Sequence, residues 1–464
     1  MFSCPNCGGN VKFDIASQQM YCAYCDGHFD PYSFDNKTTD AEENTTSEND
    51  FEVTIFTCPQ CGGEILSTDN AAAGFCSFCG ASTILYSRIS HERRPNFIIP
   101  FKKTKEDCKQ AYGSLMKRAI FAPKELKDPK CIDSFRGIYM PYWAFYVTQK
   151  GDLYLPASKT YRRGDYLYED HYRLTGNMDS YYKGLSYDAS SSFADSISEA
   201  LAPYDLKGMK AFTPAYFSGF YADTADVAPS TYQPQAEETA TKETLKQIEK
   251  FPAYKDLSLS KDCSAAHLHT RTENVDSTMF PVWFMSYRKG DRIAYMTVNG
   301  QTGKVAADLP IDPKKYVLGS LLLAIPLFFL FLLFTLLPSR LVWITFFLAL
   351  LSIILYGSEM HQISRKESGA GDLGKAYKMS QTRQAPPAPK EKRSIVGYVA
   401  PAVAMAICAF ILLLKPVSDL FYYIGAFVGL VAVGLCIWDI IRHYNILATR
   451  RLPQFDKQGG DDRA

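Results

Sequence analysis

Cys4-Pro5-Asn6-Cys7-Gly8-Gly9 opens the chain, and Cys58-Pro59-Gln60-Cys61-Gly62-Gly63 repeats it 54 positions later. Each knuckle has a second pair downstream, Cys22 with Cys25 and Cys76 with Cys79. Both units therefore read C-x2-C, 14 residues, C-x2-C, the spacing of a four-cysteine ribbon. Two residues between cysteines let one tight turn present both sulfurs to a single ion. The glycines that follow supply the positive φ values such a turn needs. A glutaredoxin-type redox pair would open a helix and would not recur with a second C-x2-C. Structural disulfides do not suit a reducing cytosol. The expected cofactors are two structural Zn²⁺ ions, one on Cys4, Cys7, Cys22 and Cys25, the other on Cys58, Cys61, Cys76 and Cys79. Iron in a rubredoxin-like site is the alternative. A unit of about 30 residues buries too little apolar surface to fold alone, so the metal supplies its folding free energy.

The chain is 464 residues long, 47% apolar and 21% charged, a balance that excludes global disorder and allows several domains. Lys+Arg at 50 against Asp+Glu at 49 hides an uneven distribution, for residues 1–90 hold 3 basic and 12 acidic side chains. Four thiolates around each Zn²⁺ deepen that negative charge. Nucleic acid is therefore not an expected partner, because phosphate binding needs clustered Lys and Arg. The ribbons read instead as protein-docking modules.

Four uncharged apolar stretches occupy the last third: Val317–Leu337, Leu341–Tyr356, Ile395–Leu414 and Leu420–Trp438. The short breaks at Pro338-Ser339-Arg340 and Lys415–Asp419 predict four transmembrane helices in two hairpins. Leu341–Tyr356 is the shortest. The loop 357–394 carries eight Lys/Arg whereas each tight turn carries one, and Arg442, Arg450 and Arg451 follow the last stretch. The positive-inside rule then places both termini and this loop in the cytoplasm, in a multi-pass protein of the inner (cell) membrane. Met1-Phe2-Ser3 leads straight into the first cysteine, and no secretory signal is expected. The stretches lack ionisable residues in their cores, which favours anchors that also homo-oligomerise over a transporter or channel. Lipid is thus an expected partner, and the basic loop around Pro386-Pro387-Ala388-Pro389-Lys390 reads as disordered, with cations able to touch anionic headgroups.

Between ribbons and anchor lies a tyrosine- and phenylalanine-rich α+β domain. Helices are expected over Thr104–Ala119, along a Cys108, Ala111, Leu115, Ala119 stripe, over Asp195–Ala202, and within a polar excursion at 222–250. Gly137–Phe145 and Thr278–Phe284 look like copies of one β unit, each followed by a polar break, Lys150-Gly151-Asp152 and Lys289-Gly290-Asp291. Asn299-Gly300 signals a hairpin, so Gly300-Gln301-Thr302-Gly303-Lys304 is a turn and not a phosphate loop. Cys263, His267 and His269 lack a fourth ligand, and His28 follows an already complete quartet. No Gly-x-Ser-x-Gly or His-Glu-x-x-His motif is present, and no enzyme is expected.

The fold class is therefore multidomain: two small β zinc ribbons, a mixed β-rich α+β cytosolic domain, and four transmembrane α-helices in two hairpins. Its boundaries are ribbon 1 at 1–30, a flexible acidic linker at 31–52 and ribbon 2 at 53–90. The aromatic-rich domain follows at 96–310, then hairpin 1 at 316–356, the basic loop at 357–394, hairpin 2 at 395–441 and a tail at 442–464.

In this order the chain resembles a family of bacterial membrane-anchored zinc-ribbon proteins. The resemblance rests on Cys-Pro-x-Cys-Gly-Gly, Ile99-Pro100-Phe101-Lys102, Phe121-Ala122-Pro123-Lys124, Gly137–Trp143, Leu201-Ala202-Pro203-Tyr204, Pro214–Phe220 and Val298–Lys304. Members often carry a replication-restart helicase label because of the ribbon alone, although this chain has no helicase motor. The resemblance implies a non-enzymatic scaffold beside phage-shock-type envelope-stress proteins, flotillin-like (SPFH-domain) proteins and TPM-domain proteins, with no catalytic residues to carry over. A membrane-tethered nucleic-acid or RNA-polymerase-associated factor is the second reading, and a transporter or channel subunit the third.

Overall fold

Residues 2–34, 50–67, 76, 78–79, 86–259, 268–331, 337–368, 371–381 and 394–451 are described in a computed structural model of the chain. The first ribbon is a three-stranded antiparallel sheet of β1 (Val11–Asp14), β2 (Gln19–Cys22) and β3 (His28–Phe29). The strands β4 (Asp50–Thr57), β5 (Glu64–Ser67) and β6 (Tyr86–Arg93) belong to the second. Most of the expected acidic linker, 35–49, and the Pro386–Lys390 stretch lie outside the described residues, as do Cys263 and His267.

The domain then runs through β7 (Phe97–Ile98), α1 (Lys105–Arg118), α2 (Pro129–Ile132), β8 (Arg136–Arg163), β9 (Tyr166–Asp188), α3 (Asp195–Leu201), β10 (Lys210–Ala211) and β11 (Tyr221–Ala222). It continues with α4 (Gln233–Glu249), β12 (Ser258–Leu259), β13 (His269–Lys289), β14 (Arg292–Asn299) and β15 (Val305–Ala307). Among the described residues, 13 strands form one sheet whose spine is β10-β7-β13-β8-β11-β5-β4-β6. The second ribbon is thus part of the main sheet. Its β5 pairs with β11, Tyr221 against Ser67, and β11 runs parallel to β8, Tyr221 against Ile138.

The two segments read as copies of one unit are the antiparallel neighbours β8 and β13, with Ile138 opposite Val282. Their polar breaks differ. Lys289-Gly290-Asp291 turns the chain from β13 into β14, with Gly290 at φ +65°. Lys150-Gly151-Asp152 is no break: β8 passes through it, Gly151 taking φ +138°, and reverses only at Gly164-Asp165. Beyond Gly151 the strand alternates, Leu153, Leu155 and Ala157 packing under Leu245 and Ile248 of α4 while Tyr154 stays exposed. At the far end both faces meet solvent, and Tyr161, Tyr166, Leu167, Tyr168 and Tyr172 are all exposed.

The predicted helices are present. Thr104 caps α1, its hydroxyl accepting from the Asp107 N–H while the Asp107 carboxylate accepts from the Thr104 N–H. The buried line of α1 is Cys108, Tyr112 and Met116, with Ala111 and Leu115 half-buried beside it. The Asn299-Gly300 hairpin joins β14 to β15, and Asn299 Oδ1 accepts from the Gln301 and Thr302 N–H groups, both at 2.9 Å. A Cβ at Gly300 would lie 2.6 Å from the Phe101 ring, so only glycine fits. Lys304 donates to the Ala202 carbonyl, and Gln301 holds both backbone groups of Asp205, which gives this turn a structural occupation.

The C-terminal third holds α5 (Pro313–Phe331), α6 (Pro338–Glu367), α7 (Leu373–Gln381), α8 (Val396–Leu414), α9 (Asp419–Leu447) and β16 (Arg450–Arg451). Among the described residues three helices, α6, α8 and α9, are long and apolar enough to cross a membrane. Four such helices in two hairpins were expected. α5 covers Val317–Phe331 of the first apolar stretch, and 332–336 fall outside the described residues. The shortest stretch, Leu341–Tyr356, sits inside a 30-residue helix, so length does not limit it. The helices α6, α8 and α9 pack on one another through small residues, among them Gly397 under Tyr356 and Gly429 under Thr345.

The bundle is joined to the sheet at one end. Arg292 of β14 donates to the Ile446 carbonyl at 2.8 Å and to Thr449 Oγ1 at 2.7 Å, and it pairs with Glu367 at 3.5 Å. Asn445 exchanges two hydrogen bonds with the backbone of Ile311. β16 pairs with β14. From the basic loop 357–394, α7 straps onto the domain. The Leu373 N–H donates to Asp195 Oδ2 at 2.7 Å, Lys378 pairs with Asp226 at 2.9 Å, and Leu373 and Tyr377 pack against Val227 and Tyr232.

Candidate metal centres

The first knuckle of each quartet is built from backbone hydrogen bonds. In the first knuckle of ribbon 1 the Cys4 N–H donates to the Gly9 carbonyl at 2.7 Å and the Gly8 N–H to the Cys4 carbonyl at 2.9 Å, with Gly8 at φ +71°. Ribbon 2 repeats it: Cys58 to Gly63 at 2.9 Å, Gly62 to Cys58 at 2.8 Å, and Gly62 at φ +75°. The Gly63 N–H also reaches Cys61 Sγ at 3.4 Å. These bonds explain the paired glycines after each second cysteine: one turns the chain and the next frees an amide for sulfur.

The eight sequence-predicted ligands converge as two groups of four, all ligand atoms in each within 4.8 Å of one another. Sulfur separations are 3.5 Å for Cys4–Cys25 and Cys7–Cys22, and 3.7 Å for Cys58–Cys79 and Cys61–Cys76. Thiolates about 2.3 Å from a tetrahedral ion lie about 3.8 Å apart, so each cluster can take one metal ion. All eight cysteines are free. The same set of four sulfurs serves zinc or iron.

Crowding four thiols perturbs their titration in opposite directions. In the second cluster, contacts with Cys61, Cys76 and Cys79 draw Cys58 far below the ordinary thiol range, and contact with Cys58 pushes Cys61 and Cys76 far above it. In the first, burial raises Cys22, but the Tyr24 and Cys25 N–H groups outweigh it and bring the thiol down to about 7. Four thiolates together need a cation.

The surroundings differ. Ribbon 1 is docked on the domain by its strand face: Ser218 Oγ donates to the Val11 carbonyl at 2.7 Å, the Phe13 N–H to the Ser218 carbonyl at 3.1 Å, and Gln18 Nε2 to the Phe101 carbonyl at 2.7 Å. Phe13 meets Tyr216 edge-on at 5.0 Å. Cys4 and Cys22 are buried, whereas Cys7 and Cys25 are exposed. In the second centre all four cysteines are buried, within a shell of Phe56, Ile65 and Phe78. Tyr295 of β14 donates to the Phe78 carbonyl at 2.9 Å and ties the knuckle to the sheet. The His28 ring lies tilted 5.1 Å from that of Tyr21 and His269 begins β13, and neither belongs to a metal-ligating group among the described residues.

Sequence reasoning missed a polar cleft of about 80 Å³ beside the second centre, lined by Gly62, Gly63, Phe78, Ser190, Asp223 and Lys378. Asp223 accepts from Ser190 Oγ at 2.5 Å and Ser192 Oγ at 2.7 Å, and burial raises its carboxyl to about 7. Only the run Ser190-Ser191-Ser192 hinted at it, and such a run is ordinary loop composition.

No family model matches the chain, and no solved structure matches it. It is similar to YdjG of Bacillus subtilis (strain 168), an uncharacterized protein, at 27% identity over 320 residues, spanning 68% of this chain and 91% of that one.

Proposed function

We propose that the chain is a non-enzymatic, membrane-anchored zinc-binding scaffold that positions partner proteins at the inner face of the cell membrane. One observation carries the reading. A tyrosine-rich hairpin end, with Tyr166 and Leu167 71% and 74% exposed, is held out from a sheet bonded directly to the ends of the apolar helices. Tyrosine is the residue of protein interfaces, presenting a large rigid surface with a polar tip. Both metal sites hold four protein sulfurs, which leaves no open position for substrate and suits structural zinc.

The anchor is best read as four crossings in two hairpins. α5 starts at the sheet side, and α6, α8 and α9 alternate so that 338, 414 and 419 share the far end. The strap α7 lies against the domain, so the loop 357–394 shares its side. The positive-inside rule makes that side the cytoplasm, with both termini there. Flotillin-like SPFH proteins, TPM-domain proteins and phage-shock-type proteins are the partner classes, and envelope stress the setting, by resemblance.

Crosslinking mass spectrometry in native membranes tests this, run on the unaltered chain beside Tyr166→Ser/Leu167→Ser. Recovery of a membrane-associated protein that the variant loses supports the scaffold. Recovery of RNA polymerase or replication proteins, unchanged in the variant, overturns it in favour of the tethered nucleic-acid factor.

A further inference from the structure

A cavity of about 530 Å³ lies where the sheet meets the helix bundle. Its lining combines apolar side chains, Ile311, Met360, Ile363 and Ile446, with basic ones, Lys289, Arg292 and Arg442. Glu367 is the one acidic side chain in the lining, and it is held by Arg292 and Arg451 at 3.5 and 3.2 Å. Arg292 is fully engaged with Glu367, Ile446 and Thr449. Lys289 and Arg442 are different: both are exposed, and neither has an ion-pair or side-chain hydrogen-bond partner among the described residues. His443 commits its Nδ1 to the Asp439 carbonyl at 2.7 Å.

The depth of the cavity follows from α6. Met360 and Ile363 lie four and seven residues beyond Tyr356, the last residue of the apolar stretch, about 6 and 10 Å along the helix axis. The headgroup zone extends about 5–8 Å beyond the hydrocarbon core on each side. A cavity at that level, lined by both apolar and cationic side chains, has the two-part chemistry that a phospholipid headgroup and its upper acyl carbons would meet.

We infer that this cavity binds the phosphate headgroup of an anionic phospholipid, with Lys289 and Arg442 on the phosphate and Met360, Ile363 and Ile446 against its apolar carbon. The inference rests on α6, α8 and α9 spanning the membrane. The apolar part of the lining favours a lipid over free phosphate, which has nothing to bury there.

The full chain in nanodiscs of phosphatidylcholine with or without phosphatidylglycerol provides the test, with bound lipid counted by native mass spectrometry. Retention of phosphatidylglycerol over phosphatidylcholine is expected. Lys289→Gln and Arg442→Gln should each reduce the preference about fivefold, the equivalent of about 1 kcal/mol per basic side chain. Arg442→Lys should keep most of it, and Lys415→Gln, at the far turn, should leave it unchanged. Equal retention of both lipids, or an unaltered preference in the double variant, overturns the site. Displacement of the lipid by millimolar inorganic phosphate or glycerol 3-phosphate overturns the lipid assignment. Alkaline extraction of native membranes separates this from the anchor itself: a chain that stays in the pellet but shows no lipid preference refutes the cavity alone, and a chain released by alkali refutes the anchor.

Discussion

The two cysteine quartets share a spacing, a knuckle and nearly the same sulfur geometry, yet they occupy opposite structural positions. The first sits on a small sheet of its own, docked through Val11, Phe13 and Gln18, with two of its four sulfurs at the surface. The second has surrendered its independence: β5 pairs with β11, Tyr295 grips Phe78, and every sulfur is buried. A metal site can thus be an appended module or a fastening in the main sheet, with the ligand motif unchanged. What separates the two is the chain that packs around each.

Cys58→Ser should remove one metal ion per chain and loosen β4, β5 and β11 together, because metal binding supplies about 10 kcal/mol or more to such sites. Cys7→Ser should also remove one ion, with hydrogen exchange rising only within residues 2–34. Metal analysis with hydrogen-exchange mass spectrometry reads both, and equal spread of exchange in the two variants would break the comparison.

The next effect is on pH. Buried Asp223, beside the second centre, titrates near 7 in the folded chain against 3.8 ordinarily. The folded state therefore holds the proton over that interval. Stability contributed here is full below about pH 4 and falls as pH rises to about 7, by at most about 4 kcal/mol. Asp223→Asn should flatten that part of the pH–stability curve measured by denaturant unfolding. A chelator should strip the ions in two phases, the half-exposed first centre emptying at least several times faster than the buried one. A single phase would mean that burial does not control access. The smallest effect belongs to the fasteners: Tyr295→Phe and Gln18→Ala should each cost about 1 kcal/mol, the usual worth of a buried hydrogen bond.

The quartets and the apolar stretches were legible because chemistry fixes their spacing, sulfur to one ion and about 20 residues to one bilayer. α1 was legible because the spacing of Cys108, Ala111, Leu115 and Ala119 is local, as is the Thr104–Asp107 cap that the structure adds. The incorporation of the second ribbon was not, since it depends on Tyr221 and Ala222, two residues in a stretch with no strand pattern. Lys-Gly-Asp shows the limit most clearly. The same tripeptide is a turn at 289–291 and mid-strand at 150–152, and the difference lies in β9, which pairs with β8 through that point and far beyond it. The strap α7 was hidden for a similar reason: its partners Asp195 and Asp226 are more than 150 residues away.

At 30 residues α6 is about 45 Å long, and α9 at 29 is nearly the same, against a hydrocarbon core of about 30 Å. Both surpluses emerge on the side of the sheet, and Arg292, Asn445 and Arg450 fasten the sheet to them. On the proposed membrane-spanning reading, the pair would act as rigid stilts, holding the β-domain at a set altitude above the lipid. A partner of the Tyr166 hairpin would then have to reach that altitude, and the helices would select by height before any side chain is read.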